Sequence, residues 1–286
     1  MPQPAAEITL TAEQVAQLVR EQHPSFAGPI GTVSHGWDND VFRLGDRWAV
    51  RAPRRRPAVA LIENEQRWLP EIAERMPVAV PAPVATGIPG ALFPWPWSIV
   101  PWFDGVSAAG VSASGRDRLA PAVAAGVVAL HTDAPADAPV NAFRGVALRK
   151  RADAVEPRLT GSPELMAQWR DGCAAPEWPG APVWVHGDLH VGNLICRGGE
   201  LRAIIDFGDL TSGDPACDLA VAWLAFTTDG RAVFRAELQG RYDPHIWRRA
   251  RAWAVAIASL VADADDASLR EMSAHAVAQL LTDTAD

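Results

Sequence analysis

The sequence predicts an α+β fold, with a small sheet-rich part over roughly residues 1–104 and a mostly helical part over 105–286. Three observations carry this. From Gly31 to Arg51, short β-prone runs alternate with turn residues. From Gly115 onward, apolar residues recur at helical spacing over long stretches. Within the helical part, a hairpin signature stands between Val183 and Asp209. There Gly198-Gly199 separates two apolar runs, and both turn positions can take positive φ.

In chain order, Thr11-Ala12-Glu13-Gln14 is a capping-box pattern opening an amphipathic helix to about Glu21, with Val15, Leu18 and Val19 as its apolar stripe. The next region predicts one strand before His35-Gly36, one from Asp40 to Leu44 and one from Arg47 to Arg51, with Gly45-Asp46 turning the second into the third. Leu61, Ile62, Trp68, Leu69 and Ile72 predict a helix from Ala60 to Arg75, which Pro70 should kink or end. Val78 to Val84 is strand-like but broken by Pro81 and Pro83, and Trp97 to Val100 is a buried strand leading into Pro101-Trp102-Phe103.

Ala108 to Ser114 has the composition of a linker. A buried Ala/Val-rich helix is expected from Gly115 through His131, with His131 as its cap, followed by a Pro/Ala-rich loop over 132–145. Leu148 to Leu159 and Pro163 to Cys173 are predicted helices. Asp214 suits an N-cap with Pro215 at the first helical position. The remainder to about Leu281 is helical, with Trp223, Phe226, Phe234, Trp247 and Trp253 as core candidates.

The chemistry-bearing residues concentrate between Val183 and Asp209. A two-residue turn at Gly198-Gly199 would set Asn193 opposite Ile204, with Asp206 its diagonal neighbour on the same face. Diagonal separations of roughly 7–8 Å let an amide and a carboxylate share a cation. Hard oxygens of this kind suit Mg²⁺, which completes its shell from water and phosphate. Asp188, on the loop entering the hairpin, is free to face a substrate hydroxyl. Two other readings of the same residues stand beside this one. His186, Asp188 and His190 alternate and could form a two-histidine, one-carboxylate metal site, or they could be a buried polar network.

The run His186-Gly187-Asp188-Leu189-His190-Val191-Gly192-Asn193, followed by Ile205-Asp206-Phe207-Gly208-Asp209, resembles the catalytic and metal loops of the aminoglycoside and macrolide phosphotransferase family. These are small-molecule kinases, and the resemblance implies a protein-kinase-like two-lobed fold. Residues 1–104 would form the nucleotide-binding lobe and 105–286 the catalytic and substrate-binding lobe. The implied reaction moves the γ-phosphoryl of ATP or GTP to a hydroxyl of an antibiotic-like acceptor. Asp188 would be the catalytic carboxylate, and Asn193 and Asp206 would hold Mg²⁺. Arg51, oriented by Glu65, would grip phosphates, and Gly36 would lie in the turn over them. Val100, Pro101 and Phe103 would form the hinge that holds the base, through the Pro101 carbonyl and the Phe103 N–H. Asp218 resembles the carboxylate that holds the catalytic loop in shape. Arg51 departs from the kinase pattern, which has lysine there, and it could instead belong with Arg54, Arg55 and Arg56 to a solvated cluster. A primary-metabolite kinase and a catalytically silent nucleotide-binding protein are the alternatives on the same fold.

Composition narrows the partners. The chain is 49% hydrophobic and 21% charged with net charge −8, which argues against nucleic acid and is compatible with a cationic small acceptor. Cys173, Cys196 and Cys217 show no paired spacing, so neither a disulfide framework nor a zinc site is expected. The N-terminus lacks a basic and apolar leader, and no apolar run is long enough to span a bilayer. The expectation is a cytoplasmic monomer or homodimer.

Overall fold

The computed structural model describes residues 4–283. Its N-terminal part is a five-stranded antiparallel sheet in the order β1-β2-β3-β5-β4. The strands are β1 (Ile30–His35), β2 (Asn39–Leu44), β3 (Trp48–Pro53), β4 (Ala85–Gly87) and β5 (Trp97–Pro101). Helix α1 (Ala12–Gln22) opens with the expected capping box. The Thr11 N–H donates to Gln14 Oε1 at 2.9 Å, and the Gln14 N–H donates back to Thr11 Oγ1 at 3.2 Å. Its Val15, Leu18 and Val19 pack with Phe42, Val50 and Ile99 in a first hydrophobic core.

Helix α2 (Val59–Arg75) runs through Pro70 without ending. Pro70 lies on the exposed side, where solvent can take the carbonyl that the missing N–H releases. The buried stripe of α2 reads Ile62, Glu65, Leu69, Ile72, which carries a carboxylate into the interior. Val78 to Val84 is not a strand. Pro81 and Pro83 cannot donate to a ladder, so only Ala79 bridges, to Ala203, and regular pairing waits until β4.

The expected linker is a docked segment. Strand β6 (Val106–Ser107) pairs with β8 (Leu194–Arg197), Ala108 is fully buried, and Ser107 Oγ donates to the Val191 carbonyl at 3.0 Å. The helix expected from Gly115 is α3 (Ala113–Arg116), a 3₁₀ turn and α4 (Ala120–Leu130), capped at His131. Leu148 to Leu159 breaks into a 3₁₀ turn, α5 (Ala152–Val155) and a second 3₁₀ turn containing Pro157. Then follow α6 (Pro163–Ala174), β7 (Val183–Val185), β9 (Glu200–Ile204) and β10 (Thr211–Gly213). The chain closes with α7 (Ala216–Leu219), α8 (Val221–Ala225), α9 (Thr228–Glu237), α10 (Ile246–Val261) and α11 (Ala267–Thr282).

A second hydrophobic core spans these helices and includes Trp169, Trp223, Phe226, Phe234 and Trp253, with Trp247 packed against it. Leu69 and Ile72 of α2 belong to this second core, so α2 ties the sheet to the helices. Among the described residues, no helix is long and apolar enough to cross a membrane, and the three cysteines are unbonded.

The hairpin register differs from expectation by one residue. Arg197 faces Glu200 and Cys196 faces Leu201, as a two-residue turn requires. A bulge between Ile195 and Cys196 then shifts the pairing, so Ile195 faces Ala203 and Leu194 faces Ile204. Asn193 therefore meets Ile205, whose N–H donates to the Asn193 carbonyl at 2.9 Å, and not Ile204.

Candidate active site

Strand β7 delivers His186, and the loop beyond it is built around one buried carboxylate. Asp218, fully buried on α7, accepts the His186 N–H at 2.7 Å and the Gly187 N–H at 2.9 Å. His131 Nε2 lies 3.1 Å from the same carboxylate, and its Nδ1 is 2.8 Å from the Tyr242 hydroxyl. His131 is thus more than the helix cap expected of it. Gly187 takes φ +85, and a Cβ there would lie 2.4 Å from the Asp209 carbonyl oxygen, so both conformation and space demand glycine.

His186 Nδ1 accepts the Asp188 N–H at 3.2 Å, which places its ring proton on Nε2, 3.0 Å from the Ile205 carbonyl. Both ring nitrogens are committed to backbone. The alternative metal site of His186, Asp188 and His190 therefore loses its first ligand, and among the described residues no group of three or more His, Cys, Asp or Glu is placed to hold a metal. Phe207, fully buried, packs on the His186 ring with centroids 4.4 Å apart.

The Asp188 side chain is 31% exposed and faces several donors. Asn193 Nδ2 donates to the Asp188 backbone carbonyl at 2.9 Å and lies 3.4 Å from Oδ2. His190 Nε2 is 3.3 Å from Oδ2, while Arg144 Nη2 is 3.5 Å from Oδ1. Burial alone would raise the Asp188 carboxyl, but His190 and Arg144 override it and hold it well below the usual carboxylate range. The carboxylate is ionised at neutral pH.

Asp206 follows the hairpin with φ +62, a left-handed conformation that asparagine and aspartate tolerate best among residues with a Cβ. Its half-exposed carboxylate lies 3.2 Å from Arg51 Nη2, and the same nitrogen is 3.1 Å from Glu65 Oε1. Arg51 is buried, so it does not belong to a solvated cluster with its neighbours. Arg54 and Arg55 pair instead with Asp40 and Asp38. The Glu65–Arg51–Asp206 chain links α2, β3 and the end of the hairpin. Burial pushes the Glu65 carboxyl up to about 7, although Arg51 and the Phe207 N–H pull it down.

The hinge residues lie at the end of β5. The Trp102 N–H donates to the Arg47 carbonyl at 2.8 Å. Alternation along the antiparallel ladder then gives Val100 and Ala49 the next bonded pair and turns the Pro101 carbonyl away from β3. Val100 has its backbone in the ladder and its side chain 4% exposed. Gly36 does not offer its N–H to a phosphate. That N–H donates to the Asn39 carbonyl at 2.8 Å, and the Gly36 carbonyl accepts from Arg54 Nη1 at 2.7 Å.

Arg144, Asn141 and Asp209 were not singled out by the sequence. Arg144 Nε lies 3.5 Å from Asp209 Oδ2, and Asn141 Nδ2 donates to Asp209 Oδ1 at 2.7 Å. Arg144 and Asn141 come from the Pro/Ala-rich loop before the 3₁₀ turn at Leu148, where no motif or periodicity marks them.

The profile of the phosphotransferase enzyme family matches residues 30–253. The structure is similar to the GDP complex of wild-type aminoglycoside 2'-phosphotransferase-IIIa, with TM-score 0.70 and 18% identity over 95% of this chain and 99% of that one. It is also similar to macrolide 2'-phosphotransferase MphH from Brachybacterium faecium, with TM-score 0.61 and 23% identity over 92% of this chain and 97% of that one. The streptomycin–ATP ternary complex of APH(2")-IIa gives TM-score 0.59 and 19% identity over 96% and 97%. At these identities the likenesses show the kinase-like fold. No curated protein matches the sequence significantly. With the family profile spanning most of the chain, the chain belongs to the phosphotransferase enzyme family and is a phosphotransferase with an alcohol group as acceptor.

Proposed function

We propose that this phosphotransferase moves the γ-phosphoryl of ATP or GTP to a hydroxyl of an antibiotic-like acceptor, an aminoglycoside, a macrolide or a similar compound, and so inactivates it. The observation that carries the reading is the Glu65–Arg51–Asp206 chain, which sets a buried cation against a carboxylate beside the Asp188 loop. A phosphate-gripping cation oriented by a helix glutamate is the arrangement that phosphoryl transfer uses to place the nucleotide. In this reading residues 1–104 bind the nucleotide and residues 105–286 carry catalysis and acceptor binding. The Pro101 carbonyl and the Phe103 N–H face the base, with the Val100 side chain beneath them.

Asp188 accepts a hydrogen bond from the acceptor hydroxyl and orients it toward the phosphorus. A carboxylate held this far below its ordinary value is a weak base, which suits orientation and late proton uptake in a loose transition state. The bulge removes the diagonal Asn193–Asp206 pairing of a regular ladder, so their assignment as magnesium ligands rests on donor chemistry. The Asn193 amide nitrogen is committed to Asp188, leaving its oxygen as the free end, and the Asp206 carboxylate is 52% exposed. One carboxylate and one amide oxygen are a set that Mg²⁺ completes with water and phosphate. Bound there, the ion would neutralise charge on the transferring phosphoryl.

Nucleotide consumption with Mg²⁺, run for ATP and GTP against antibiotics and hydroxylated metabolites, tests the reading. Acceptor-dependent ADP or GDP release is expected with an antibiotic acceptor. Asp188→Ala should lower kcat by about 10²–10⁴-fold while nucleotide still binds. Near-normal turnover in that variant would remove Asp188 from the role.

A further inference from the structure

The loop between α4 and the 3₁₀ turn at Leu148 has little regular structure, yet its backbone is fixed along its length. The Ala134 N–H donates to the Pro182 carbonyl at 2.9 Å, and the Thr132 carbonyl accepts the Trp184 N–H at 3.0 Å. The Pro139 carbonyl accepts the Ser212 N–H at 2.8 Å, and the Asn141 N–H donates to Thr211 Oγ1 at 2.8 Å. The Gly145 carbonyl accepts the Asp214 N–H at 2.8 Å. These anchors lie on or beside β7 and β10, the strands that flank the catalytic loop. Directly after Arg144, Gly145 takes φ +63, and Gly213 passes so near that a Cβ there would lie 2.1 Å from the Gly145 carbonyl oxygen. Backbone hydrogen bonds at Asn141 and Gly145 thus anchor the chain on both sides of Arg144.

From this pinned position the Arg144 side chain, 15% exposed, reaches between two carboxylates. Its Nη2 lies 3.5 Å from Asp188 Oδ1 and its Nε 3.5 Å from Asp209 Oδ2. Asp209 is itself held by Asn141 at 2.7 Å, from the same loop. No other arginine among the described residues pairs with Asp188. The opposite oxygen of Asp188 faces His190 and Asn193 at 3.3 and 3.4 Å. The carboxylate is thus fixed from both sides by long contacts and keeps an open edge for a hydroxyl.

We propose that Arg144 is a positioning residue for the phosphoryl-transfer reaction: braced against Asp209, it holds the Asp188 carboxylate in the orientation that receives the acceptor hydroxyl. The inference rests on the role given to Asp188 above. It requires no direct contact between Arg144 and the nucleotide, and so it separates turnover from nucleotide binding.

The test compares Arg144→Ala, Arg144→Lys and Asp188→Asn in the full chain, reading kcat, nucleotide affinity by calorimetry and thermal unfolding. Arg144→Ala should lower kcat about 100-fold, the scale of a misplaced reacting group, with nucleotide affinity unchanged. Arg144→Lys should recover part of the rate, since the ammonium keeps the charge and loses the planar fork. Added guanidinium should also raise the rate of the alanine variant. Arg144→Gln serves in its place if alanine does not fold. Wild-type kcat in Arg144→Ala overturns the inference. So does parallel loss of rate, nucleotide affinity and folding without recovery by lysine or guanidinium, the mark of a scaffold residue. If Asp188→Asn turns over normally, the role of Asp188 itself fails. If that variant is inactive while Arg144→Ala is normal, only the inference about Arg144 fails.

Discussion

Asp218 concentrates the cost of shaping the His186–Asn193 loop in one side chain, and Asp218→Ala measures that cost. The substitution removes the acceptor of two backbone donors, the His186 N–H at 2.7 Å and the Gly187 N–H at 2.9 Å, at a fully buried carboxylate. A buried donor left unpaired costs about 1–3 kcal/mol, so the pair costs roughly 2–6 kcal/mol. At about 2–4 °C per kcal/mol for a chain of this size, the melting temperature should fall by roughly 4–24 °C. Asp218→Asn separates the donors. One amide oxygen still accepts, while the amide nitrogen meets the other N–H, so one donor is orphaned and about half the loss is expected. Both variants should also lower kcat, on the order of 100-fold if the loop moves by about 1 Å. Differential scanning fluorimetry with steady-state kinetics reads both effects. A melting temperature and kcat near wild type in Asp218→Ala would refute the argument that this carboxylate shapes the loop.

Two further outcomes follow from the buried ion-pair chain. Arg51→Ala leaves Glu65 buried without its cation, but the carboxyl then stays protonated, so the cost in chemical denaturation should be about 1–3 kcal/mol, with weaker nucleotide binding; an unchanged nucleotide affinity would return Arg51 to a purely structural role. Glu65 also makes stability depend on pH. Its carboxyl is raised to about 7 by burial, so the native chain retains a proton that the unfolded chain has released above about 4.5. The stability this contributes is complete below about 4.5 and lost as pH rises through about 7. Glu65→Gln, which cannot titrate, should flatten that fall in unfolding curves between pH 5 and 8. A wild type that gains on the variant as pH rises would mean that the field of Arg51 outweighs burial.

Local signals in the sequence translated directly into structure. The capping box at Thr11, the strands around Gly45-Asp46 and the Gly198-Gly199 turn are short-range devices, and each forms as read. The run from His186 to Asp209, which carried the family resemblance, was legible because its spacing is itself local. The failures have a different origin. The bulge at Ile195 answers to packing across the small sheet, which no turn residue announces, and it moved the partner of Asn193 by one position. The N–H of Gly36 goes to a local turn, a competition that glycine content alone does not settle. Arg144 lies 44 residues before the aspartate it meets, and His131 lies 87 before Asp218. Such contacts depend on tertiary closure, and a Pro/Ala-rich loop carries no periodicity to announce them.

The left-handed backbone at Asp206 restricts which replacements can report on chemistry alone. At φ +62, asparagine shares the tolerance of aspartate, and glycine has no penalty at all. Alanine, serine or glutamate would disturb the chain path between the hairpin and Phe207, and with it the packing of Phe207 on His186. Their effects would mix displacement with the lost carboxylate. The backbone thus narrows position 206 to a short alphabet before any ligand is considered, and within it only aspartate supplies a negative charge. Asparagine would keep the backbone conformation and remove only the Asp206 end of the ion-pair chain, leaving Arg51 with Glu65.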